Sequence, residues 1–178
     1  KQQARFSLAD NALLANLYRR DKNWGKYART MRTVLGNGGA EQSQYVREYA
    51  SALTSKGELD EAQLWLNRLK QLAPREALTF SVEAELLFKA SDFGELNDLI
   101  QSKFDQSKEE LLAAAQAAEA SATGLAAQPE LQAKFFVLAD KAYTILGSAY
   151  PEMAWLRIAS LARRGDIKLA LNLLRQAR

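Results

Sequence analysis

The chain has 178 residues, carries 24 Lys and Arg against 21 Asp and Glu, and contains neither Cys nor His. Disulfides, thiolate chemistry, Cys/His zinc sites and imidazole acid–base catalysis are thereby excluded. Hydrophobic residues make up 48% and charged residues 25%, the balance of an ordinary folded domain, so a disordered chain is excluded as well.

Ala, Leu, Glu, Gln, Lys and Arg dominate, and these lose little side-chain freedom in a helix. Val and Ile are scarce, which argues against a sheet. The excess of +3 arises from cations interleaved with acids, without the basic face that nucleic acid requires, so no nucleic-acid partner is expected. The doublets Arg19-Arg20 and Arg163-Arg164 fall near expected helix C-termini, where a cation favours the helix dipole over any phosphate-binding role. No run of about 18 apolar residues occurs, so no membrane insertion is expected in this segment. The chain begins at Lys1 without a signal peptide and is expected to be a piece of a larger protein. Absence of Cys suits reducing and oxidising compartments alike; the compartment stays open, with the cytoplasm favoured over the periplasm.

Apolar spacing predicts helices in chain order near 6–20, 24–35, 41–55, 59–72, 75–90, 93–102, 108–126, 129–147, 151–164 and 167–177. Leu14, Leu17 and Tyr18 mark the first. Val46, Tyr49, Ala50 and Leu53 mark the third. Leu131, Phe135, Leu138, Ala139, Ala142 and Leu146 run over four turns of the eighth. Pro74, Pro129 and Pro151 stand just before helical patterns, with Glu76, Glu130 and Glu152 behind them. Ser107 with Glu110, and Asp92 with Glu95, have capping-box spacing. The cluster Gly36-Asn37-Gly38-Gly39 ends the second helix, and Gly57 and Gly165 follow others. The Ala-rich stretch 111–127 suits close helix packing. Turns this short permit only antiparallel neighbours.

A turn followed by a hydrophobe recurs at Asn23-Trp24, Glu58-Leu59, Asp92-Phe93 and Asp166-Ile167. The hydrophobes lie 35, 34 and 74 residues apart. A period near 34 fits a two-helix repeat, and the last interval leaves room for a longer unit over roughly 107–147. In the clearest copy, 43–76, Val46, Tyr49, Ala50 and Leu53 line the first helix. Gly57 supplies the turn, Leu59 follows it, Ala62 is the small residue of the second helix, and Pro74 closes.

This copy resembles the tetratricopeptide repeat family, and the chain is similar to a divergent, bacterial-type member. The other copies depart from the pattern. Ser91 stands at the turn glycine, Tyr27 at a small position, and Glu83 and Arg157 at large ones. The resemblance implies an all-α fold, a right-handed α-solenoid of antiparallel helix pairs with about ten helices. It implies one domain, 1–178, with units near 8–42, 43–76, 77–106, 107–150 (irregular) and 151–178.

In that family the second, fifth, ninth and twelfth places of each unit face a concave groove. Carried over, they give Asn16, Gln44, Arg47, Ser51, Thr54, Ser81, Glu85 and Phe88 as a protein-binding groove. The clamp that grips a terminal carboxylate in some members is not expected, because Ala12 replaces its Lys.

No catalytic arrangement stands out. The glycine cluster lacks a following Lys-Ser/Thr, and pairs such as Glu109-Glu110 and Asp60-Glu61 sit in first helical turns where the dipole accounts for them. Trp24 is expected in the core at its turn. Trp65 and Trp155 are read equally as core or as surface anchors.

The expectation is a non-catalytic scaffold that binds a peptide or protein partner in the groove, without cofactor or metal. One alternative is a structural or self-association module, with a homo-oligomer formed through the last helix pair, where Leu169, Leu171, Leu173 and Leu174 crowd together. A helical enzyme domain resting on carboxylates is a third reading.

Overall fold

The structure, a computed structural model, describes residues 6–176. Among the described residues there are ten α-helices and no strand: α1 (Leu8–Arg20), α2 (Trp24–Gly36), α3 (Ser43–Lys56), α4 (Leu59–Leu72), α5 (Ala77–Lys89), α6 (Phe93–Gln101), α7 (Lys108–Gly124), α8 (Pro129–Ala149), α9 (Trp155–Arg163) and α10 (Ile167–Gln176). Two 3₁₀ turns, Gly39–Glu41 and Pro151–Met153, complete the helical set. The protein is all-α. The ninth helix starts later than its sequence pattern suggests, because Pro151 opens the 3₁₀ turn and the α-helix begins only at Trp155.

The helix starts follow side-chain chemistry. Ser7 and Asp10 form a reciprocal capping box at α1. Asn23, Asp92 and Ser107 each accept the backbone N–H three residues on, at α2, α6 and α7. Each such cap satisfies one of the donors that a helix start leaves orphaned.

The turns between helices repeat in detail. Lys22, Gly57, Ser91 and Gly165 all adopt left-handed φ, at 57°, 84°, 61° and 83°. Each stands two places before a turn hydrophobe: Trp24, Leu59, Phe93 or Ile167. The next N–H then reaches five residues back, Asn23 to Tyr18, Glu58 to Leu53 and Asp166 to Leu161, at 2.9–3.0 Å. This is the bonding of a helix closed by a left-handed residue. The repeat is therefore carried by backbone geometry even where glycine is absent.

The chain divides into two compact units, Lys1–Ala90 and Ser91–Arg178. The helices of the expected third repeat, α5 and α6, belong to different units. In the first unit, Tyr27, Met31, Val46, Tyr49, Leu53, Leu66 and Leu69 are buried in one core built from α2, α3 and α4, with Val82 and Leu86 of α5. A run of rings threads it. Trp24 lies 5.1 Å from Tyr27, Tyr27 6.1 Å from Tyr49, and Tyr49 5.9 Å from Trp65. Tyr27, too large for a small position, is accommodated by this stacking and is fully buried. Trp24 is half-buried at its turn, and its indole N–H donates to Glu58 at 2.9 Å. Trp65 also packs against the core.

In the second unit, α7 and α8 form a long hairpin. Ala114, Ala115, Ala118 and Ala122 are all fully buried, which brings the two backbones close. The 107–147 segment is thus a regular pair of longer helices. Phe135 meets Phe93 edge-on at 6.3 Å, tying α8 to α6. Trp155 is 59% exposed and lies on the surface.

The two charged residues at large positions are explained by pairing. Glu83 is ion-paired with Lys70. Arg157 meets Asp140 through two nitrogens, each at 3.0 Å. In both places a charge pair between helices fills the space that an apolar contact would.

Candidate functional site

The first helices of the first unit's pairs, α1 and α3, together with α5, enclose a hollow of about 630 Å³. Asn16 and Arg19 contribute from α1. Gln44, Tyr45, Arg47, Glu48 and Ser51 contribute from α3, and Leu78, Ser81, Val82 and Glu85 from α5. Helical geometry explains the grouping. Gln44, Arg47, Glu48 and Ser51 recur at three- and four-residue spacing, on the face of α3 that turns away from the core stripe Val46, Tyr49, Ala50 and Leu53.

Of the eight residues expected in the groove, the structure brings six together here: Asn16, Gln44, Arg47, Ser51, Ser81 and Glu85. Thr54 is a correction. It is fully buried, and its hydroxyl donates to the Ala50 carbonyl at 3.0 Å. The reason is rotational: residue 54 lies one turn beyond Ala50 and shares its core-facing side. Phe88 is half-buried and lies outside the hollow's lining.

Arg19, Tyr45, Glu48, Leu78 and Val82 were not anticipated. The repeat spacing held the signal for one of them: Leu78 stands 34 residues after Gln44. Glu48 was legible as the helical neighbour of Gln44, four residues on.

The hollow is polar and charged, with two arginines and two glutamates. Glu85 is held by two serines of α3: Ser51 donates at 3.2 Å and Ser55 at 2.9 Å. Arg47 reaches toward Glu76 at 3.9 Å. The Ser81 hydroxyl turns back to the Ala77 carbonyl at 3.0 Å, and the Gln44 amide donates to Gln42 at 3.3 Å. One Glu48 oxygen is buried without a hydrogen-bond partner.

Elsewhere in the first unit, Arg32, Glu61 and Tyr49 form a cluster. Arg32 donates to Glu61 through two nitrogens, at 3.3 and 2.8 Å, and Tyr49 donates at 3.1 Å. The Arg32 bond holds the Glu61 carboxyl below the usual carboxylate range. Burial, reinforced by the Glu61 charge, pushes the Tyr49 phenol up to about 12.

The second unit has its own hollow, of about 700 Å³, between α7, α8 and α9. On its wall Glu119 accepts from Tyr143 at 2.8 Å and from Arg163 at 2.8–3.1 Å. Burial acts to raise the Glu119 carboxyl, but the hydrogen bonds from Arg163 and Tyr143 prevail and leave it lowered. Arg164 stacks over Phe136 at 5.0 Å and approaches Asp140 at 3.6 Å. The Arg163-Arg164 doublet is thus engaged by carboxylates of its own unit. Among the described residues, no group of three or more acidic side chains is placed to hold a metal ion, and no helix is long and apolar enough to cross a membrane.

No family model matches the chain, and no curated protein matches it.

Proposed function

We propose that the chain is a non-catalytic helical-repeat scaffold of the tetratricopeptide kind, and that the hollow formed by α1, α3 and α5 binds an extended segment of a partner protein. One observation carries this reading. Side chains from three helices, several of them one repeat period apart, converge on a single open hollow of about 630 Å³ with both polar and apolar walls. That volume suits a few residues of an extended segment, and amide and guanidinium groups on its walls suit a peptide backbone and its charges. The four left-handed turn residues support the repeat assignment, and at Lys22, Gly57 and Gly165 the helix closes with the same bond five residues back.

The carboxylates support a non-catalytic reading. Glu61, Glu110, Glu119 and Glu152 all have pKa values displaced downward. A general acid needs the opposite displacement. Glu61 and Glu119 are in addition spoken for by Arg32 and Arg163.

The test uses peptides selected on the intact chain from a displayed library of random twelve-residue sequences. Arg47→Ala and Gln44→Ala should each weaken a selected peptide about ten-fold, with the helical circular dichroism spectrum unchanged. Unchanged affinity in both variants would remove the hollow as the binding site.

A second reading, self-association, rests on α10. Ile167, Leu171 and Leu174 recur at four- and three-residue spacing, and all are 42–51% exposed. Leu169 is exposed as well. Such an apolar stripe on a helix marks a contact surface more often than a solvated face. Light scattering over a concentration series decides between them: a monomer at every concentration counts against this reading.

A further inference from the structure

We propose that the hollow of the first unit selects a segment bearing a basic side chain, and that Glu48 receives it. The inference rests on the scaffold reading and names the chemistry of its ligand.

Four charged groups face the hollow, and they are not in the same condition. The Glu85 carboxylate is held by Ser51 and Ser55. Arg47 leans toward Glu76 at 3.9 Å, and Arg19 is exposed on the surface of α1. Glu48 differs: its Oε1 is shielded from solvent and accepts no hydrogen bond. Its backbone carbonyl accepts a long bond from the Tyr27 hydroxyl at 3.4 Å, and its charge acts on the same phenol. Neither arginine of the hollow forms an ion pair with Glu48 among the described residues.

A buried acceptor without a donor is destabilising, more so when it is charged. Completion by a bound group is one reason a folded protein keeps such an acceptor. The unmet demand at this wall is for a donor, and for a carboxylate the strongest donors are cationic. Rotation about the last side-chain bond of a glutamate is soft and two-fold, so its two oxygens exchange readily. A guanidinium or ammonium entering the hollow can therefore meet either one. Lys and Arg also carry long apolar stems, and Tyr45, Leu78 and Val82 line the same hollow to cover them. An acidic segment would need to be drawn by Arg19 and Arg47 instead, past two carboxylates.

The experiment begins with the same displayed library of random twelve-residue peptides. The sequences recovered should share Lys or Arg at one fixed position. A synthetic copy of one such peptide, titrated by calorimetry, should bind Glu48→Gln at least ten-fold more weakly than the native chain. Replacing its fixed basic residue with norleucine should weaken binding to the native chain by a similar factor. The same replacement should weaken binding to Glu48→Gln by less than three-fold, the signature of a direct pair. Thermal melts of Glu48→Gln exclude misfolding as the cause.

The outcomes separate the two readings. Selected peptides insensitive to Arg47→Ala and Gln44→Ala overturn the scaffold site. Peptides sensitive to those changes, but without a shared basic residue or indifferent to Glu48→Gln, overturn this inference and leave the scaffold standing. An acidic shared position overturns it as well.

Discussion

The Ser51 hydroxyl donates to the Glu85 carboxylate at 3.2 Å, and the two residues stand 34 places apart in the chain. That separation matches the period read in the sequence, and the bond joins α3 to α5. Asn16, 35 residues before Ser51, is the matching residue on α1 and faces the same hollow. Two serines of α3, Ser51 and Ser55, thus hold Glu85 of α5 at the wall of the candidate site. A double-mutant cycle on Ser51→Ala and Glu85→Gln should give a coupling of about 0.5–1.5 kcal/mol in chemical denaturation. Zero coupling would mean that the bond does not align α3 with α5.

The left-handed turns predict stability changes of opposite sign at equivalent places. A side chain at positive φ costs about 1–2 kcal/mol. Lys22 and Ser91 bear that cost, whereas Gly57 and Gly165 avoid it. Lys22→Gly and Ser91→Gly should each stabilise the fold, by about 0.5–1 kcal/mol once the greater freedom of glycine in the unfolded chain is counted. Gly57→Ala and Gly165→Ala should each destabilise it by about 1 kcal/mol. Urea midpoints of the four variants check the pattern.

The same turns show how far the sequence could be read. Caps, prolines and apolar stripes placed all ten helices to within a few residues, because each signal acts locally. The turn at Asp92-Phe93 was legible, but not its left-handed backbone, since a serine at position 91 gives no outward sign of it. The resemblance to tetratricopeptide repeats points to Asn16, Gln44, Arg47, Ser51, Ser81 and Glu85 through their places in each unit, and these six line one hollow. Thr54 comes from the twelfth place of the family's unit, yet here its hydroxyl bonds to the carbonyl four residues back and is buried with the core. Glu48 was passed over because its distinguishing feature, an unpartnered oxygen, depends on what neighbouring helices fail to supply.

Thr54 therefore yields a prediction of its own. Thr54→Val keeps the shape and removes a hydroxyl that bonds only within α3. Stability should change by less than about 1 kcal/mol, and affinity for a peptide bound in the hollow should not change. A ten-fold loss of affinity would return this residue to the site.

Glycine is required for space at a different place. A Cβ on Gly39 would lie 2.6 Å from the Val34 carbonyl oxygen and 2.9 Å from its side chain. Val34 is fully buried and cannot yield. Gly39→Ala should cost about 1–3 kcal/mol by overpacking. At Gly25, in the exposed first turn of α2, an added Cβ meets nothing within 4 Å. Gly25→Ala should stabilise the helix by about 0.5–1 kcal/mol. Melting temperatures moving in opposite directions confirm the contrast, and two shifts of the same sign contradict it.

The cluster of Arg32, Glu61 and Tyr49 sets the pH limits of the first unit. Glu61 ionises more readily in the folded chain than at its ordinary value of 4.5, chiefly through the Arg32 hydrogen bond. Its contribution is complete above that value and is lost as pH falls through the lower, folded one. Tyr49 behaves in the opposite sense. Its folded pKa is raised from 10.0 to about 12 by burial and by Glu61, so its contribution is complete below pH 10 and is lost as pH climbs toward 12. Tyr27 and Tyr143 are raised as well, each first by burial. Stability measured by denaturant titration should therefore be flat through neutral pH, fall below about 4.5 and fall again above 10. Glu61→Gln should blunt the acid limb, and Tyr49→Phe the alkaline one. Ultraviolet titration should show the remaining buried tyrosines ionising only as the helices unfold. Ionisation of every tyrosine near pH 10 with helicity intact would show that neither Tyr27 and Tyr49 in the first unit nor Tyr143 in the α7–α8 hairpin of the second is held in a closed environment.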